Sequence, residues 1–108
     1  MNVYNALPDA RAAEVFEDIA HLPGGVRVER IVSHGQTSPP GFWYDQPWDE
    51  WVLVLSGHAL LRVEGEADAR ALAPGDHAYL PAHVKHRVDA TAMDQPTVWL
   101  AVHGPGIK

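Results

Sequence analysis

Glu50-Trp-Val-Leu-Val-Leu-Ser-Gly57 and, seventeen residues further on, Gly75-Asp-His-Ala-Tyr-Leu-Pro-Ala-His-Val-Lys-His86 are the stretches whose reading decides the fold. Each is a run of strand-forming residues entering or leaving a Gly or Pro turn, and each carries one side chain able to bind a metal. In an extended chain alternate side chains share a face. Glu50 therefore keeps step with Val52 and Val54, and His86 with Val88 and Ala90, while Lys85, Arg87 and Asp89 lie opposite. A carboxylate and an imidazole thus point where the aliphatic residues point, into the core. A buried carboxylate is costly unless it is paired or metal-bound, so the interior should hold something that receives Glu50.

Outward from these stretches, the sequence after Val26 is a succession of short β-branched or aromatic runs. They are divided by Pro39-Pro40-Gly41, Ser56-Gly57, Gly65-Glu66, Pro74-Gly75-Asp76, Pro81 and Gln95-Pro96. About eight strands fit this part of the chain, with no helix between them, which indicates an antiparallel sandwich or barrel. Before it, Ala12, Val15, Phe16, Ile19 and Leu22 recur at helical spacing and Gly24-Gly25 follow, so a helix is expected from about Pro8 to Leu22. The organisation read from this is a helical segment over residues 1–25 packed on a β-barrel over 26–108.

The 108 residues suit one domain, 46% hydrophobic and 20% charged, with a formal net charge of −6 and no basic run. That balance argues against nucleic acid and against anionic membrane surfaces as partners. There is no cysteine, hence no disulfide, thiolate metal site or Cys nucleophile. The first residues have no secretory pattern and no stretch of eighteen apolar residues occurs, so a soluble cytoplasmic protein is expected. Nucleophile elbow, phosphate-binding glycine loop and dinucleotide fingerprint are all missing.

The two opening stretches resemble the paired motifs of the cupins. The first cupin motif is His-x-His, three or four residues, Glu, six residues, Gly; the second is Gly, five residues, Pro-x-Gly, two residues, His, three residues, Asn. Glu50 and Gly57 match the end of the first, and Gly75, Pro81 and His86 match the second. Both histidines of the first motif are replaced, by Tyr44 and Gln46 in the three-residue register or by Trp43 and Asp45 in the four-residue one. His83 stands for the Gly of Pro-x-Gly and Ala90 for the final Asn. His is among the residues that tolerate positive φ, which makes the first of these two exchanges mild. The resemblance implies an all-β double-stranded β-helix of jelly-roll type, carrying the short N-terminal α-helix already described. It also implies a divalent metal in the barrel, held here by Glu50, His86 and Gln46. A mixed oxygen and imidazole set suits manganese, iron, nickel or zinc.

Tyr44, His34, Trp43 and Trp48 are the candidate ligand-binding residues. The loop containing His34 is long and polar enough to fold over a barrel mouth, and Trp43 or Trp48 could wall a cavity by stacking, with core packing the alternative for both. His21 falls in the last turn of the expected helix, where the dipole favours a cationic side chain, His58, His77 and His83 read as surface residues, and His103 could face either way. Trp51, Leu53 and Leu55 form an apolar face opposite Glu50, from which a homodimer is expected. Two functions remain open at this point. One is a metal-dependent enzyme acting on a small polar organic substrate in oxygenase- or isomerase-like fashion. The other is a metal-free ligand-binding or regulatory module, in which Glu50, His86, Tyr44 and Gln46 form a hydrogen-bonding network around an organic ligand.

Overall fold

The computed structural model describes residues 1–105, so the last three residues of the expected barrel segment lie outside it. Its strands are β1 (Val15–Leu22), β2 (Val26–Ser33), β3 (Glu50–Ser56), β4 (Ala59–Val63), β5 (Arg70–Leu72), β6 (His77–Leu80), β7 (His86–Thr91) and β8 (Thr97–His103). Two antiparallel sheets result, one ordered β1-β2-β8-β3-β6 and the other β5-β4-β7. Val52, Val54, Trp99 and Ala101 of the larger sheet pack with Leu61, Val63 and Leu72 of the smaller one as the buried core. The alternation read from Glu50, Val52 and Val54 holds, since all three are buried while Trp51 and Leu53 between them are half-exposed.

Of the helix expected from about Pro8 to Leu22, Val15–Leu22 is a strand and residues 8–14 are irregular, and the described residues contain no helix. β1 pairs with β2 in register except at Ile19, where Asp18 faces Glu29 and Ala20 faces Val28, leaving one extra residue as a bulge. The bulge moves later side chains to the opposite face, so Phe16 and Leu22 belong to different faces of one strand. An interrupted period of two imitates a period of three to four, which is why Val15, Phe16, Ile19 and Leu22 read as helical. Gly24 and Gly25, expected to end a helix, instead close the β1–β2 hairpin with φ of 86° and 84°, a region open to glycine. Seven of the eight strands thus follow Val26, and β1 is the eighth.

The chain crosses between the sheets four times, and motif residues stand at two of these crossings. Gly57 sits at the first, after β3, with φ of 81°. A Cβ there would lie 2.6 Å from the Thr97 Cα and 2.8 Å from the Pro96 carbonyl oxygen, so no other residue fits. At the crossing between β6 and β7, His83 takes φ of 65°, the conformation that the cupin motif assigns to Gly. The exposed edge of β7 is covered by the 34–49 loop. Tyr44 and His86 exchange both backbone hydrogen bonds, at 2.7 and 3.1 Å, and Ser38 N–H donates to the Val88 carbonyl at 2.8 Å. This pairing satisfies an edge that would otherwise be open to aggregation, and it carries Tyr44 and Gln46 to the barrel interior.

Candidate functional site

Glu50 opens β3 and His86 opens β7, and both side chains reach a cavity of about 100 Å³ between the sheets. Strand register sets Glu50 beside His103 on β8, and His103 in turn beside Arg27 on β2. The inward face of β2 runs through Glu29 and Ile31, which also line the cavity. Glu50, His86 and His103 are each only 6–7% exposed. Their polar atoms need partners inside the protein, and all three side chains have hydrogen bonds or close charge contacts there.

Those partners fix the state of each ring. Trp48 Nε1–H donates to His103 Nδ1 at 2.9 Å, and an indole N–H can only donate. The neutral His103 ring thus carries its proton on Nε2, which donates to Glu29 Oε1 at 3.0 Å and lies 4.0 Å from Glu50 Oε2. For His86 the order is reversed. Its Nδ1 is 3.1 Å from the Val84 carbonyl oxygen, an acceptor only, so the proton resides there. Nε2 is left with its lone pair toward the cavity, 3.7 Å from Glu50 Oε1, beyond hydrogen-bond length. Gln46 Nε2–H donates to that same Glu50 oxygen at 2.8 Å.

Tyr44 stacks on His86 with ring centroids 5.4 Å apart and planes 21° from parallel, and makes an edge-on contact with Phe42. Burial raises the Tyr44 phenol above its ordinary pKa, and the charges of Glu14, Glu50 and Glu29 push it further in the same direction. At neutral pH the phenol is a donor. Glu14, just before β1, also borders the cavity and accepts from the Ser33 hydroxyl at 2.5 Å; Ser33 in turn accepts from Trp99 Nε1–H at 3.2 Å.

Of the residues singled out in the sequence, Glu50, His86, Gln46 and Tyr44 share the cavity, whereas His34, Trp43 and Trp48 do not line it. The His34 loop is tied down elsewhere. Gln36 accepts from the His34 backbone N–H and donates to the Ala10 carbonyl, and its own carbonyl accepts from Thr91. Trp48 lies behind His103 and orients it, and Trp43 is half-buried away from the cavity. Asp45, the other register of the first motif, points to the surface and pairs with His83 at 2.9 Å. His103, Glu29, Glu14 and Trp99 were not found from the sequence. On β2 the charged residue Glu29 faces inward while Val28 and Val32 face outward, because residues 3–6 cover that outer face. Arg30 holds them there, donating to the carbonyls of Val3, Asn5 and Ala6. The valines of β2 therefore mark its outer face, and of the residues missed only His103, one residue beyond an apolar run, gave any signal.

The donor set falls short of a metal shell. Among the described residues no group of three or more His, Asp or Glu side chains is arranged to hold an ion. His86 Nε2 and Glu50 supply two donors. Gln46 turns its N–H toward Glu50 rather than its oxygen, and the Nε2 proton of His103 is committed to Glu29.

The family model of the cupin domain matches residues 28–103. The chain belongs to the cupin family. Among solved structures, this cupin is similar to a protein of Ralstonia eutropha JMP134 provisionally named a mannose-6-phosphate isomerase. The two are 46% identical, with a TM-score of 0.92, covering 98% of this chain and 97% of that one. KdgF from Halomonas sp. shares 21% identity at a TM-score of 0.69, covering 89% and 84% of the two chains. A cupin superfamily protein of Desulfitobacterium hafniense DCB-2 shares 17% at 0.69, covering 87% and 79%. These last two share the fold with this cupin. No curated protein matches its sequence. Among the described residues no helix is long and apolar enough to cross a membrane.

Proposed function

We propose that this cupin binds a small organic molecule in the barrel and moves a proton on it, in the manner of an isomerase. The observation that carries this reading is the His86 ring, whose Nδ1–H is tied to the Val84 carbonyl so that a basic Nε2 faces the cavity beside a buried carboxylate. A general base needs a free lone pair and a fixed orientation, and an imidazole held by its other nitrogen has both. His86 Nε2 takes the proton from a carbon next to a carbonyl. The imidazolium so formed is stabilised by Glu50 at 3.7 Å, and the Tyr44 ring stacked on it holds its plane. The neutral Tyr44 phenol is the donor for charge developing on the substrate oxygen. On a substrate with a hydroxyl on the carbon that lost its proton, passage of the hydroxyl proton to the former carbonyl oxygen and return of the carbon-bound proton from His86 to the former carbonyl carbon complete the rearrangement. The name of the Ralstonia protein accords with this class of reaction.

Exchange of solvent deuterium into small hydroxy- and amino-carbonyl compounds, followed by proton NMR, tests the reading. The wild type should exchange at least one of them, H86A should not, and E50Q should be slower by about 100-fold. Exchange that persists in H86A, or a wild type that exchanges none of them, would refute it.

One observation favours a second reading, with manganese, iron, nickel or zinc in the barrel. A histidine that donates Nδ1–H to a backbone carbonyl and presents Nε2 beside a carboxylate is oriented as metal-binding histidines are. The ion would supply Lewis-acid polarisation of a substrate oxygen. His86 and Glu50 would hold it, and Gln46 would have to turn its amide so that oxygen faces Glu50, which is favourable only with a cation between the two. Near-stoichiometric metal in untagged protein purified without chelators, lost in H86A, would establish this reading. Protein that stays empty after exposure to each ion would reject it.

A further inference from the structure

The charge of the cavity specifies its ligand more narrowly. Resting on the reading that the cavity is a ligand site, we infer that it takes a small organic cation, a protonated amine or quaternary ammonium, and excludes phosphate esters. Glu14, Glu29 and Glu50 all line it, and among the described residues no Lys or Arg does. Each carboxylate is oriented by a neutral donor: the Ser33 hydroxyl for Glu14, His103 Nε2–H for Glu29 and Gln46 Nε2–H for Glu50. Such bonds satisfy lone pairs and leave the charge in place. Arg27 approaches Glu29 Oε2 at 3.8 Å from outside the cavity and offsets one carboxylate of the three.

The walls support the same sign of charge. Phe16, Tyr44 and Trp99 border the cavity, and aromatic faces attract cations most strongly where water is excluded. A phosphate would meet those carboxylates without the Arg, Lys or helix N-terminus by which proteins bind it, and the described chain has no helix. The phosphorylated sugar in the name of the Ralstonia protein is therefore a poor fit to this cavity.

The test compares choline with 3,3-dimethyl-1-butanol, which has the same shape with carbon in place of the charged nitrogen, and mannose with mannose 6-phosphate. Binding is read from the indole N–H signals of Trp48 and Trp99 in 15N-labelled protein. Choline should bind about tenfold more tightly than the alcohol, mannose 6-phosphate should leave both signals in place, and E14Q and E29Q should each narrow the preference for choline. Equal or tighter binding of the alcohol or of mannose 6-phosphate would overturn the inference and leave the cavity as a ligand site. Silence from every probe would also overturn it, and the ligand-site reading would then stand or fall by the deuterium-exchange assay.

Discussion

Replacing Glu50 with Gln should stabilise this protein while disabling it. Glu50 Oε2 lies 4.0 Å and Glu29 Oε1 3.0 Å from one atom, His103 Nε2. The two carboxylates are thus within about 7 Å of each other, and unit charges at that separation repel by roughly 2 kcal/mol at an effective dielectric of ~20. E50Q removes that repulsion and keeps the shape. Its amide oxygen still accepts from Gln46, but the bond is no longer charge-assisted, a loss of about 1 kcal/mol. The net expectation is a gain of about 1 kcal/mol, or roughly 5 °C in Tm for a domain of this size. Urea unfolding at pH 7, followed by tryptophan fluorescence and checked against a thermal melt, measures it. A residue retained against stability is retained for what it does. If E50Q is instead less stable by 1 kcal/mol or more, the carboxylate is a structural partner of its neighbours and the argument for a working site around it fails.

Other positions give independent checks. G57A must place a Cβ against the Thr97 backbone at positive φ, so it should cost about 3 kcal/mol in urea unfolding, and a loss under about 1 would show that the crossing can relax. W48F removes the donor that holds His103 in one tautomer; 15N NMR should show the proton on Nε2 alone in the wild type and shared between the nitrogens in the variant, at a cost of about 1 kcal/mol. Arg62 first, and then Arg87, hold the Asp89 carboxyl below its usual range. A carboxyl depressed in the folded state stabilises above the unfolded pKa of ~3.9 and loses that contribution as pH falls through its folded value, so D89N should cost up to about 1 kcal/mol at pH 7 and progressively less toward pH 2.

The barrel was legible because its constraints are local. Glu50 and Val52, or His86 and the Pro81 turn, are close in sequence, so side-chain alternation and turn chemistry identify the inward face and two of the crossings without knowledge of any distant contact. His83 at φ of 65° is of the same kind, since a turn of that shape is written in the few residues that make it. β1 was misread for an equally local reason: a single bulged residue at Ile19 turned a two-residue period into an apparent helical one, and only pairing with β2 reveals the register shift.

What the sequence by itself determined is therefore the jelly roll, the family and the approach of Glu50, His86, Gln46 and Tyr44 to one interior. What only the tertiary structure decided is the chemistry of that interior. His103, Glu29 and Glu14 come from strands and a segment far apart in the chain, and the covering of the outer face of β2 by residues 3–6 turns a charged side chain inward where alternation alone favours valine. Proton positions are decided in the same way: Trp48 lies fifty-five residues from His103, and the Val84 carbonyl faces His86 only because the turn folds it there. Hydrogen-bond partners, charge balance and cavity shape are sums over long-range contacts, and those exist only once the two sheets have closed.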